Sequence, residues 1–151
     1  MKVKLSWHEL AMASEIGRLR NLANIKNARQ DRTGQTRYDW HNHIEGACGE
    51  LAVAKALGRY WDGSIDTFKA PDLCGFQVRT ALTHKSLIIR PSDADDENFV
   101  LVTANSPNYF IHGWIRGMEG KQKQYWQNWN NRPPAWFIPI EALNPIETLE
   151  V

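Results

Sequence analysis

The sequence predicts a mixed α/β (α+β) domain in which helices precede a β-sheet with covering layers. Three observations carry this. The first 58 residues hold helical periodicity, the pattern switches to a period of two from residue 64, and Phe99 to Val102 is apolar without a break. A strand covered on both faces carries such a run. With 151 residues the chain can bury a core without disulfides or metals, so residues 1–151 are expected to form one domain.

Ser6 stands three residues before Glu9, the spacing of a reciprocal cap that satisfies amide donors at a helix start. A long helix should follow to about Ala28, with Met12, Ile16, Leu19 and Ala23 on its buried stripe. Leu22 and Ile25 form a second, weaker strip suited to a subunit contact, and so to a homodimer or higher homo-oligomer. Residues 29–40 are a polar connector broken at Gly34. A second helix should run from near Asn42 to Gly58, a residue suited to the left-handed conformation that ends helices.

On this second helix Ile44, Ala47, Cys48 and Leu51 share one face, and Gly46, Val53 and Leu57 share another that contains Glu50. Such a helix is buried nearly all round, where an ionised carboxylate is costly unless paired, protonated or bound to a metal. Glu50 therefore either pairs with an arginine or serves a site, and Gly46, one turn earlier, leaves space for an approaching group.

Five strands are expected within residues 64–68, 75–82, 86–90, 99–103 and 108–115, each β-branched or aromatic and bounded by turn residues. In residues 119–136, Lys121, Lys123 and Arg132 interleave with Tyr125, Trp126 and Trp129. Such rings accept stacked bases while the cations hold phosphates, or else they cover the sheet from outside. Residues 137–143 read as a final strand and a short helical turn.

An apolar fraction of 42% excludes a disordered class, and no apolar run approaches a membrane span, so a soluble protein with no membrane partner is expected. Met1 to Leu10 lack the apolar core of an export signal, which points to the cytoplasm. Cys48 and Cys74 are too few for a zinc cluster and should be thiols. Net charge is only +1, but residues 1–37 hold eight Lys or Arg against three acids, whereas residues 91–98 are acidic. The basic third faces either a phosphate backbone or solvent.

Pro71 and Asp72 precede a short turn and a strand on which Gln77 and Arg79 share one face, with Phe76 and Val78 on the other. This hairpin resembles the PD-(D/E)xK nuclease superfamily, whose signature is a Pro-Asp turn followed by an acid-x-Lys strand. The wider stretch, residues 45 to 116, looks like small phage-encoded members of that superfamily. The resemblance implies a restriction-endonuclease-like mixed sheet flanked by helices, with an additional N-terminal helix. It implies a DNA endonuclease in the host cytoplasm, dependent on Mg²⁺ or Mn²⁺.

Carried over by position, Glu50 matches the helical carboxylate, Asp72 the metal-bridging aspartate, Gln77 the second acid and Arg79 the lysine. Glu50, Asp72 and Gln77 would then hold the metal, with Asp66 as a further ligand, and the metal would activate the water that attacks phosphorus. Arg79 cannot act as a base but can clamp a phosphate, and His84 or Lys85 could take the same cationic position. DNA would be held by Arg29, Arg32, Arg37, Lys85, Lys121, Lys123, Trp126 and Trp129.

The letters His41-Asn42-His43 match the name of another nuclease family only by coincidence, since that family's residues lie far apart in sequence. His41 and Glu45, one helical turn apart, read as a polar pair at the helix start. Three functions fit the chain: a metal-dependent endonuclease, a nucleic-acid-binding protein on the same fold without hydrolysis, and a protein-interaction module.

Overall fold

The computed structural model describes residues 1–27, 39–65 and 75–150. At the first helix the Glu9 amide donates to Ser6 Oγ at 3.2 Å and the Ser6 amide donates to Glu9 Oε2 at 2.6 Å, the predicted reciprocal cap. Helix α1 spans Trp7–Lys26. Its buried ridge is Ala13, Gly17 and Asn21, not the larger residues of the expected stripe, and Met12 is half exposed. The reason is close helix packing: a Cβ on Gly17 would lie 2.5 Å from Ile44 Cα and 2.6 Å from the His43 carbonyl oxygen. Small residues one turn apart let the second helix approach, and that sets the rotation of α1. Leu22 and Ile25 stay exposed.

Helix α2 spans Asp39–Ala56, three residues earlier than the sequence suggests, and Gly58 follows it at φ +63°. Ala47, Cys48 and the run Leu51 to Ala54 are buried. Lys55, near its end, donates to Glu9 Oε2 at 2.8 Å and to the Lys4 carbonyl at 3.1 Å, tying α2 to the start of α1.

Strand β1 is Lys2–Lys4, too short to announce itself in sequence because Val3 is its one buried side chain. Strands β2 (Phe76–Ala81), β3 (Ser86–Ile89), β4 (Asn98–Asn105) and β5 (Asn108–Arg116) follow, then a single turn α3 (Gly117–Gly120), β6 (Trp126–Gln127) and β7 (Ala135–Pro139). Of the strand expected at residues 64–68, Ser64 and Ile65 lie outside any strand, and the rest falls beyond the described residues.

These strands form two sheets. One has the order β1-β5-β4-β2, with β2 parallel to β4 and the other pairs antiparallel; the second is antiparallel, in the order β3-β7-β6. Phe99, Val100, Leu101 and Val102 on β4 are fully buried, as their unbroken apolarity predicts. Val100 and Val102 pack in a core with α1 and α2, while Phe99 and Leu101 pack with Leu87, Ile89 and Ile138 of the second sheet. The expectation of helices flanking the sheet is thus met on one face only, and a second sheet covers the other. Among the described residues, no helix is long and apolar enough to cross a membrane.

Candidate nucleic-acid interface

Strand parity decides where the expected metal site falls. On β2, Phe76 and Val78 pack into the helical core, and Thr80 meets Gly49 of α2, so even-numbered residues face the helices. Gln77 and Arg79 alternate with them and face the second sheet, where the Arg79 guanidinium lies 5.2 Å from the Phe99 ring centroid. Glu50, on α2, belongs to the other side. The structure does not bring it together with Gln77 and Arg79.

Glu50 is instead held by α1. Arg20 Nη1 and Nη2 donate to its two carboxylate oxygens at 2.6 and 2.9 Å, and Trp61 Nε1 donates to Oε2 at 3.0 Å. The Arg20 Nε also donates to the Ser64 carbonyl at 2.8 Å. A carboxylate 5% exposed, met by a bidentate guanidinium and an indole N–H, has its charge compensated without a metal. The metal-ligand role expected for Glu50 is therefore corrected to a structural ion pair.

Asp72 and Asp66 lie outside the described residues. Among the described residues no three His, Cys, Asp or Glu side chains converge as metal ligands. The described members of the expected set, Glu50 and Gln77, do not fit a common Mg²⁺ or Mn²⁺ cage, and no step is derived through such an ion.

Arg79 is also committed within the fold. Its Nη2 donates to Asp93 Oδ1 at 2.8 Å, and Asp93 Oδ2 accepts from the Arg90 amide at 2.8 Å. Asp93 is buried, so this pair fixes the loop between β3 and β4 against β2. Lys121 joins the same loop, donating to the Asp93 carbonyl and to Asp95 Oδ1, each at 2.6 Å, with its ammonium 5.6 Å from the Trp136 ring centroid. Lys121 was expected to meet DNA. Its side chain is only 15% exposed, and the acidic loop neutralises it.

His41 and Glu45 do not act as a pair either: His41 is exposed, and Glu45 accepts the Tyr109 hydroxyl at 2.7 Å. Burial, foremost, and the bond to Glu45 push the Tyr109 phenol well above its usual range. Burial also raises the Cys48 thiol, which makes it an inert core residue.

A cluster of cationic and aromatic groups lies elsewhere, on the outer face of the second sheet. Leu87 and Ile89 point inward, so Ser86 and Ile88 point outward, and Ile88 stands opposite Phe137 in the β3–β7 register. Trp129 packs on Phe137 with ring centroids 4.8 Å apart at 65°, and the Arg132 guanidinium lies 5.2 Å from the Trp129 centroid. An open groove of ≈ 690 Å³ runs between these side chains and the Thr83–His84 turn, and an adjoining one of ≈ 410 Å³ reaches Arg90 and Pro91.

Lys85 is exposed on that turn and Lys123 is exposed farther along the chain. Trp126 rests on Trp136 with centroids 4.6 Å apart and keeps 37% exposure. Burial, foremost, lowers the His84 imidazole below its ordinary value, aided by the positive charges of Arg132 and Arg90. Two guanidinium groups, those of Arg132 and Arg90, thus line the two grooves.

Of the residues expected to contact DNA, Trp129 lies on this face, Lys85 is exposed beside it without lining the groove, and Arg29, Arg32 and Arg37 fall beyond the described residues. Arg90, Phe137 and the Asp93 clamp were not anticipated. Alternation within residues 86–90 and 135–139 signals their outward side chains, but the pairing of β3 with β7 is not legible locally. Neither a protein-family model, nor a curated protein, nor a solved structure matches the chain.

Proposed function

We propose that this protein binds nucleic acid through the outer face of its second sheet. The observation that carries the reading is the Phe137–Trp129–Arg132 stack along the open groove beside His84. Aromatic faces and guanidinium groups set along one open groove suit bases and phosphates together. The test is anisotropy of labelled DNA and RNA across a salt series. Affinity should fall linearly in log–log form, and Arg132→Ala should reduce the slope by about one. Absent binding, or binding indifferent to salt, overturns the reading.

A second reading is metal-dependent phosphodiester hydrolysis of DNA, supported by the sequence order Pro71, Asp72, Gln77 and Arg79, which resembles the nuclease signature. Supercoiled plasmid with Mg²⁺ or Mn²⁺ tests it. Nicking that stops with chelator and with Asp72→Ala supports cleavage. No nicking by the parent or by the Gln77→Glu, Arg79→Lys double variant removes it.

A further inference from the structure

Resting on the nucleic-acid reading above, we propose that the groove between the Thr83–His84 turn and Trp129 takes an unpaired nucleobase of a single strand, stacked on the indole, with the adjoining phosphate on Arg132. Trp129 keeps 44% of its surface accessible even though Phe137 and Arg132 both touch it. Its neighbours fix the ring without enclosing it, which lowers the entropic cost of stacking a base there. Asn130 and Asn131, both exposed, line the same groove, and each amide offers a donor and an acceptor to a base edge. In a duplex the base faces are stacked on each other, so the indole face would not be used. A duplex could draw only on phosphate contacts and on the base edges open in its grooves.

The experiment compares a labelled oligothymidylate, an oligouridylate of the same length and a hairpin duplex, each titrated with parent protein, Trp129→Ala, Trp129→Phe and Trp7→Ala. Trp7 is 75% exposed on α1, away from the groove, and serves as the control for loss of a surface indole. Trp129→Ala should weaken single-strand binding about tenfold while leaving duplex binding unchanged, and Trp129→Phe should retain most of the affinity. Tryptophan quenching on binding should persist in Trp7→Ala and diminish in Trp129→Phe. Tighter binding of the uridylate or of the thymidylate identifies RNA or DNA as the source of the strand.

If the duplex binds and single strands do not, or if Trp129→Ala weakens both alike, the single-strand assignment fails and nucleic-acid binding stands. If none of the three probes binds, both fail. Circular dichroism and thermal melting establish that each variant is folded, and Trp129→Phe keeps the test decisive should Trp129→Ala be destabilised.

Discussion

Arg20 and Glu50 face each other across the two helices, with both guanidinium branches on both carboxylate oxygens and side-chain exposures of 18% and 7%. They lie thirty positions apart in sequence. Removing one partner strands the other charge in a buried setting, so Glu50→Ala should cost about 3–5 kcal/mol, and Arg20→Ala a similar amount. Replacing both, as Arg20→Met with Glu50→Leu, should recover much of the loss. Urea unfolding checks this through the transition midpoint at constant slope. If Glu50→Ala is as stable as the parent, the carboxylate is not the structural anchor described above.

Two glycines of the helical pair should respond in opposite directions. A Cβ at Gly17 would press into the α2 backbone, so Gly17→Val should destabilise by about 1–3 kcal/mol through forced separation of the helices. Gly46, within α2, has open space where its Cβ would stand. Gly46→Ala should therefore raise stability by up to about 1 kcal/mol from helix propensity alone. Thermal melting of the two variants side by side is the check, and equal effects of one sign would contradict the packing.

Acid should weaken the fold through two histidines. His84 is lowered from its ordinary value of 6.5 mainly by burial, with Arg132 and Arg90 adding to it; His112 is lowered mainly by burial, then by the N-terminal ammonium and Lys85. The unfolded chain thus binds protons at a higher pH than the folded one. This contribution to stability is fully present above pH 6.5 and is lost as pH falls through the window between 6.5 and the lower folded values. Imidazole NMR titration should place both midpoints below 6.5, and an oligonucleotide should raise that of His84 by placing phosphate beside it. A His84 midpoint at or above 6.5 in the free protein would contradict the burial and the cationic neighbours described for it.

Much of the local structure is written in short stretches. Ser6 and Glu9 specify the start of α1 because both halves of the cap lie within one turn. Gly58 marks the end of α2 by its backbone alone, and Phe99 to Val102 declare a doubly covered strand because all four neighbours are apolar. The stripe on α1 was harder to read. Leu and Met report hydrophobicity, whereas the contact between helices is set by how closely backbones approach, and Gly17 governs that.

The sequence by itself determined the two long helices, the strands β2 to β5, the buried state of Glu50 and the shared face of Gln77 and Arg79, since each follows from capping, periodicity or alternation along the chain. Tertiary structure decided which partner each charged group meets: Arg20 for Glu50, Asp93 for Arg79, the acidic loop for Lys121. It also decided that α2 lies on one face of β2 and the second sheet on the other. Periodicity fixes which way a side chain points relative to its own element. What waits there depends on contacts between segments far apart in sequence, and those form only when the whole chain closes around its cores.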